Sequence, residues 1–151
     1  MKDVGIKKLI FSSSATIYGE PLELPLREVS PKNVPTNPYA FTKVAIERIL
    51  EDVVRSDADW SVINLRYFNP LGAHPSGLIG EEPSGIPNNL MPLIVRTVQK
   101  KLHELHIYGA DYDTEDGTGE RDYIHVLDLA RGHVQALNES QNLGNFQILN
   151  L

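Results

Sequence analysis

A chain of 151 residues, 41% of them hydrophobic and 23% charged, is long enough to fold around one hydrophobic core. A formal net charge of −6 without any basic cluster argues against a nucleic-acid partner or an anionic membrane surface. The absence of cysteine excludes a disulfide framework and thiol catalysis and favours a reducing compartment. Since no apolar run suits a signal peptide or a membrane span, we expect a cytoplasmic protein.

The first predicted element is a short apolar run, IKKLIFSSS, at residues 6–14. Such a run ending in small polar residues is typical of a buried strand, which here delivers serines at its carboxyl end. The next segment, from Pro21 to Pro38, contains five of the ten prolines and is therefore predicted to be a loop.

A helix is predicted for the segment NPYAFTKVAIERIL and on to about Arg55. Asn37 suits the N-cap and Pro38 the first helical position. Tyr39 and Lys43 lie four residues apart, so they share one face, one turn apart. The apolar stripe expected to face the core consists of Phe41, Val44, Ala45, Ile49 and Val53.

The run WSVINLRYFNP, at residues 60–70, is predicted to be the second strand. A strand, a helix and a further strand with so long a connection indicate a parallel, right-handed βαβ unit, and hence an α/β fold with part of a doubly wound sheet. Ligands of such sheets bind at the carboxyl ends of the strands. A serine of the first strand, Tyr39 and Lys43 are therefore expected to meet there as a proton-transfer set.

A phenol can serve as a base near neutral pH only with strong electrostatic help. One ammonium about 6 Å away supplies about 3 kcal/mol at an effective dielectric constant near 20, which falls short of the roughly 4 kcal/mol required. A second positive charge is needed, and an oxidised nicotinamide ring would provide it.

Beyond residue 70 the sequence becomes rich in glycine and proline, as expected of a binding surface built from loops. The pattern predicts a helix at about residues 91–101, a short strand at 103–109, an acidic loop at 110–122, a strand leading into a helix at 123–138 and a last strand at 145–151. No metal site is expected, because the acidic stretch DYDTEDG has Asp116 where a calcium loop requires glycine.

Five segments together resemble the UDP-glucose 4-epimerase family of the extended short-chain dehydrogenases/reductases: SSSATIYG, YAFTK, LRYFNPLGAHPSG, GIPNNLMP and TEDGTGERDYIHVLDLARGH. The resemblance implies an isomerase of galactose metabolism that uses NAD to interconvert UDP-glucose and UDP-galactose, and a homodimer as the complete protein. It also implies two regions. Residues 1–70 correspond to the C-terminal part of the Rossmann-like NAD-binding domain, which carries the catalytic residues. Residues 71–151 correspond to the UDP-sugar-binding region with a returning strand-helix element.

The resemblance also assigns roles to individual residues. Tyr39 is the base that takes the proton of the sugar 4-hydroxyl, Ser14 shares the hydrogen bond to that oxygen, and Lys43 assists Tyr39 and holds the nicotinamide ribose. The implied residues on the nicotinamide side are Tyr67, Phe68 and Pro70. The implied UDP-sugar ligands are Asn69, Asn89, Leu90, the backbone of His106, Ile107 and Tyr108, and the diphosphate-binding Arg121.

Several of these residues also have a plainer interpretation. Tyr67 and Phe68 could equally belong to the core, and Arg121 could pair with a neighbouring carboxylate. His125 lies within a matching segment, yet we expect it to be structural. The family commonly has Tyr-Gly-Lys-Ser-Lys where this chain has YAFTK, which leaves the reactive pair intact.

Three other functions stay open at this point. One is a non-catalytic fragment or pseudoenzyme that retains weak UDP-sugar binding, and another is an epimerase of UDP-N-acetylhexosamines. The third is a nucleotide-sugar 4,6-dehydratase, which is disfavoured because Ala15 and Thr16 follow Ser14 where the dehydratases carry an Asp-Glu pair.

Compared with the family, the chain resembles the middle of an epimerase of roughly twice its length. The family's glycine loop for the NAD pyrophosphate and the ribose-binding acid have no counterpart in the sequence. We therefore expect the isolated chain to lack epimerase activity, to bind NAD no more tightly than millimolar, and to be marginally folded or self-associated. Isothermal titration with NAD and gel filtration test this, and a monodisperse monomer that binds micromolar NAD would contradict it.

Overall fold

The computed structural model describes residues 1–151, which form two compact units: Met1–Phe68 together with Asp128–Leu151, and Asn69–Leu127. The first unit thus includes the C-terminal segment that the sequence-based division assigned to the second region as its returning element. The helices and strands are β1 (Lys8–Ser14), α1 (Pro38–Ser56), β2 (Ser61–Tyr67), β3 (Asn69–Leu71), α2 (Leu90–Val98), β4 (Tyr123–His125), α3 (Val126–Glu139) and β5 (Phe146–Asn150), with short 3-10 helices at Lys2–Val4 and Ala15–Tyr18.

The first unit contains a parallel sheet in the order β1-β2-β5, as the α/β prediction requires. The central strand β2 is buried along Val62–Arg66, because α1 covers one face of the sheet and α3 covers the other. Ile63 and Leu65 pack against Ala136 of α3 in the hydrophobic core. The alternate residues of β2 face α1, and they include the charged Arg66.

The helix α1 begins as predicted but buries a different face. The Asn37 side chain caps it by accepting a hydrogen bond from the Ala40 N–H at 2.8 Å. The predicted apolar stripe is partly wrong, because Phe41 and Ile49 are 62% and 59% exposed. Glu47 is fully buried instead. A buried carboxylate can replace an apolar side chain on the core face only where it is paired, and the sheet supplies that pairing.

The second unit contains β3 and β4, which pair in parallel, and the helix α2. The strand predicted at residues 103–109 is wrong. This segment has no regular secondary structure, because no other part of the chain pairs with it. Across both units, no helix has the length and apolar character needed to cross a bilayer.

Asn64 is a polar residue in the most buried strand, and its Oδ1 has no hydrogen-bond partner. Its Nδ2 lies 3.5 Å from the Gln147 carbonyl, which is a weak contact at best. We expect Asn64→Leu to raise the free energy of unfolding by about 1 kcal/mol or more, because an unsatisfied buried acceptor is removed and apolar surface is added. Urea unfolding monitored by circular dichroism measures the change.

The control is Asn145→Leu, the same substitution at an exposed asparagine whose amide is hydrogen-bonded. The Asn145 Nδ2 donates to the Ala58 carbonyl at 2.6 Å, so the same substitution should destabilise the chain at that position. Stabilisation at both positions would show that added hydrophobicity, and not the orphaned Asn64 oxygen, is responsible.

Candidate active site

Tyr39 and Lys43 lie on one face of α1 as their spacing predicts. The Lys43 Nζ is 5.4 Å from the centre of the Tyr39 ring and 5.1 Å from that of Phe11. It donates to the Ser12 carbonyl at 2.9 Å, which joins α1 to β1 and leaves two of its three donors without a protein acceptor. Tyr39 is 55% exposed, and its hydroxyl makes no hydrogen bond within the chain. The phenol is therefore free to meet a ligand beside a positive charge.

Ser14 ends β1 and caps the 3-10 helix Ala15–Tyr18. Its Oγ accepts hydrogen bonds from the Thr16 N–H at 3.3 Å and the Thr16 hydroxyl at 3.0 Å. Its own hydroxyl hydrogen has no acceptor in the chain. Ser14 also lies opposite Tyr67 in the parallel register of β1 and β2, so two predicted site residues meet at the carboxyl edge of the sheet.

A buried charged cluster that no sequence pattern indicated lies directly behind this edge. Glu47 of α1 accepts four hydrogen bonds: Oε1 takes one from the Ser13 hydroxyl at 2.6 Å and one from the Arg66 Nε at 3.0 Å. Oε2 takes one from the Arg66 Nη2 at 2.7 Å and one from the Lys32 Nζ at 2.8 Å. Glu47 and Arg66 are both 0% exposed. Both carboxylate oxygens are thus fully used, as a buried ion pair requires.

The cluster continues across the sheet as a row of polar side chains. Ser13, Arg66 and Asn150 are register partners on β1, β2 and β5. The Arg66 Nη1 donates to the Tyr18 hydroxyl at 2.9 Å, and this hydroxyl donates to the Asn150 Oδ1 at 2.6 Å. The Arg66 Nη1 also donates to the Glu28 carbonyl at 3.1 Å. The row therefore connects all three strands with the proline-rich loop.

Tyr67 contacts His133 of α3, a residue to which no sequence pattern gave a role. The His133 Nδ1 donates to the Leu129 carbonyl at 2.8 Å, so in the neutral ring Nε2 is the acceptor for the Tyr67 hydroxyl, 2.5 Å away. Burial raises the pKa of Tyr67, and a hydrogen bond to Ser12 offsets this only in part. Tyr67 is therefore neither plain core nor freely exposed. His133 is the last residue of the matching segment TEDGTGERDYIHVLDLARGH, but its position on a partly buried helix face gave no sign of this contact.

Phe68 directly follows β2, and its N–H donates to the Leu151 carbonyl at 2.8 Å. In the second unit, Asn69 and Pro70 form the start of β3, and the Asn69 side chain donates to the Asp122 carbonyl at 2.8 Å. This contact joins Asn69 to Asp122, the residue that follows Arg121 in the chain.

The remaining predicted substrate residues are exposed parts of the second unit. Asn89 precedes α2 and donates to the Glu81 carboxylate at 3.0 Å, while Leu90 begins the helix and is 45% exposed. The segment of His106, Ile107 and Tyr108 is also exposed, and Ile107 and Tyr108 are 73% and 83% exposed.

Arg121 does not pair with a carboxylate as its plainer interpretation suggested. Its Nη1 donates to the Glu120 carbonyl at 2.6 Å, and no acidic side chain lies within ion-pair distance. The guanidinium is therefore available to an anion.

His125 packs where a Gly72 Cβ would stand, and its Nδ1 accepts a hydrogen bond from the Leu127 N–H at 3.2 Å. This packing supports the structural interpretation of His125.

The chain is similar to known proteins along its whole length. A model described as "NAD dependent epimerase/dehydratase family" matches residues 1–151. The chain belongs to this family. Similar proteins include the UDP-glucose 4-epimerases of Bacillus subtilis, 54% identical over 100% of this chain and 44% of the relative, and of Homo sapiens, 52% identical over 100% and 43%. The chain spans less than half the length of these relatives, and its predicted resemblance to the UDP-glucose 4-epimerases is confirmed.

Solved structures of the epimerase family show the same fold. A UDP-glucose 4-epimerase from Bifidobacterium longum, in complex with NAD+ and UDP, aligns with a TM-score of 0.92 and 51% identity over 100% of this chain and 45% of that one. A second, from Stenotrophomonas maltophila with bound NAD and formylated UDP-arabinopyranose, has a TM-score of 0.95 and 46% identity over 100% and 45%. The predicted α/β fold with a Rossmann-like sheet is thereby confirmed.

The buried Glu47 carboxylate should make stability depend on pH. Burial alone would raise its pKa, but the hydrogen bonds from Arg66, Lys32 and Ser13 outweigh this effect and hold the pKa below its ordinary value of 4.5. A depressed pKa in the folded state contributes stability above pH 4.5 that is lost as the pH falls through the folded value. We expect the free energy of unfolding, from urea melts, to fall below about pH 4.5.

Glu47→Gln should reduce the steepness of this acid loss, because the titrating group is absent. The loss will not vanish, since the Asn150 N–H also lowers the pKa of Glu28. Glu51→Gln, one turn further along α1, is the control and should keep the wild-type slope. Equal slopes in all three proteins would contradict the assignment to Glu47.

Proposed function

We propose that this chain carries the catalytic residues of an NAD-dependent UDP-glucose 4-epimerase, which interconverts UDP-glucose and UDP-galactose. The single observation that carries the proposal is the pair formed by the exposed, unbonded Tyr39 hydroxyl and the Lys43 ammonium at the carboxyl edge of a parallel sheet. The similarity of the chain to UDP-glucose 4-epimerases over 100% of its length supports the same reaction.

In this proposal the protein handles the proton of the sugar 4-hydroxyl. Tyr39 accepts that proton as the C4–H bond breaks and returns it to the same oxygen when C4 is reduced from the other side. Ser14 donates its free hydroxyl hydrogen to the 4-oxygen and so orients it. Lys43 stabilises the negative charge that develops on the Tyr39 oxygen.

The residues of the first unit fit the nicotinamide half of NAD. Two donors of Lys43 remain for the hydroxyls of a ribose, and Tyr67 and Phe68 present aromatic surface at the end of β2. Pro70 is the further candidate on that side. When bound, NAD supplies the two-electron acceptor that takes the C4 hydride and gives it back.

In the second unit, most of the proposed contacts with the UDP-sugar are exposed polar groups. Arg121 is suited to the diphosphate, since its fork of N–H donors is not occupied by a carboxylate. Asn69, Asn89 and Leu90 are assigned to the UDP-sugar, and the backbone of residues 106–108 to the uracil.

We also propose that the complete protein is a cytoplasmic homodimer. Three apolar side chains of α1, Phe41, Ile46 and Ile49, are exposed, which supports association with a second copy. Light scattering coupled to gel filtration measures the molar mass of the complete protein, which should be twice that of one complete chain.

A chimera tests the reaction. The chain replaces the matching segment of the Bacillus subtilis relative, and turnover of UDP-galactose is measured by coupled assay. Without its proton acceptor, Tyr39→Phe should reduce kcat at least about a hundredfold, while UDP affinity stays within about threefold because the nucleotide contacts are intact.

The control is Tyr112→Phe, since Tyr112 is also 55% exposed but lies in the acidic loop. It should retain the kcat of the unaltered chimera. Near-unaltered turnover in Tyr39→Phe would refute the role of Tyr39, and an unaltered chimera without epimerase activity would refute the proposed reaction.

A further inference from the structure

Glu47 lies on the same face of α1 as the candidate catalytic pair. Tyr39, Lys43 and Glu47 are spaced by four residues, so they follow one another along the helix at intervals of about one turn. Their environments differ sharply, since Tyr39 is 55% exposed and Glu47 is 0% exposed. The buried end of this stripe is thus in a position to set the orientation of the exposed end.

The partners of Glu47 come directly before site residues on two different strands. Ser13, which donates to Glu47 at 2.6 Å, precedes Ser14 on β1. Arg66, which donates through Nε and Nη2, precedes Tyr67 on β2. One carboxylate therefore joins the helix that carries the proposed base to the ends of the two strands that carry its neighbours.

The geometry of these contacts restricts rotation as well as distance. The two parallel hydrogen bonds from Arg66 require the guanidinium and the Glu47 carboxylate to face each other in one orientation. The hydrogen bond from Ser13, on the neighbouring strand, adds a contact in a second direction. Arg66 is itself held by hydrogen bonds to the Tyr18 hydroxyl and the Glu28 carbonyl. The anchor formed by Glu47 and Arg66 is therefore fixed to two further segments of the chain.

We propose that Glu47 is a positioning residue, which fixes the Tyr39 and Lys43 face of α1 relative to Ser14. Its effect on catalysis rests on the proposed function, whereas its effect on geometry concerns this chain alone. A misplacement of about 1 Å in a reacting constellation costs on the order of a hundredfold in rate, so the loss of this anchor should be visible in kcat.

The geometric part is tested by hydrogen–deuterium exchange on the 151-residue chain. Glu47→Gln should speed exchange about tenfold or more in peptides covering residues 12–18 and 38–46, relative to the wild-type chain. Glu51→Gln should not, although it makes the same change one turn further on. Leu65→Ala, which destabilises the opposite face of the sheet, should raise exchange without this localisation.

Equal exchange of these segments in Glu47→Gln and Leu65→Ala would overturn the inference, because a general loss of stability would then suffice. The inference would also be overturned if residues 12–18 and 38–46 of the wild-type chain showed no protection from exchange. If Glu47→Gln does not fold, Ser13→Ala decides: it removes only the hydrogen bond to Glu47 and should loosen the same segments by about threefold or more. Unchanged exchange in Ser13→Ala would also overturn the inference.

The catalytic part is tested in the chimera, at a temperature well below the melting point of every variant. Glu47→Gln should lower kcat about tenfold or more with KM within about threefold, whereas Leu65→Ala should retain kcat. A kcat for Glu47→Gln equal to that of Leu65→Ala would overturn the positioning role. An inactive unaltered chimera would instead refute the proposed function, while the exchange experiment still decides the geometry.

Discussion

The first unit depends on two full charges, Glu47 and Arg66, that are withdrawn from water between α1 and β2. Removing such ions from water costs several kcal/mol each, and only complete hydrogen bonding offsets this. Ser13 and Lys32 complete the carboxylate, while Tyr18 and the Glu28 carbonyl bind the far side of the guanidinium. Residues 28 and 32 lie in the proline-rich loop, so their hydrogen bonds to this pair also hold a segment that has no helix or strand. Because this desolvation offsets much of the attraction between the two charges, the clearest structural consequence of the pair is the directional set of hydrogen bonds that it fixes between α1 and the strands.

The pleat of the sheet explains how such a polar row coexists with a hydrophobic core. Successive residues of a strand face opposite sides, so Ser13, Arg66 and Asn150 point towards α1 while Leu65 and Leu149 pack on the side of α3. The two faces do different work: the α3 face supplies apolar burial, and the α1 face supplies directional contacts. A slip of one residue in the register would exchange the faces and bury the wrong set. The polar row thus also specifies the pairing of the strands.

Sequence patterns predicted the elements wherever local rules decide them. The cap at Asn37, the strands β1, β2, β4 and β5, and the shared face of Tyr39 and Lys43 all follow from short-range chemistry. Residues 103–109 had a strand-like composition, but a strand also needs a partner, and none is present. The apolar stripe predicted for α1 did not include Glu47, because a periodicity of apolar residues leaves out every charged side chain. Only the tertiary structure shows that Arg66, within an apparently apolar strand, neutralises Glu47.

The two units provide their candidate site residues in different ways. In the first, Ser14, Tyr39 and Lys43 lie on or at the ends of regular elements, and hydrogen bonds from buried groups fix those elements. In the second, Arg121 and residues 106–108 lie on exposed segments that few contacts hold. Proton transfer tolerates little misplacement, whereas recognition of a flexible nucleotide can be spread over adaptable loops. In the proposed function this division follows from the chemistry: the residues proposed to react need a fixed helix, and those proposed to bind the UDP-sugar need donors that a ligand can reach.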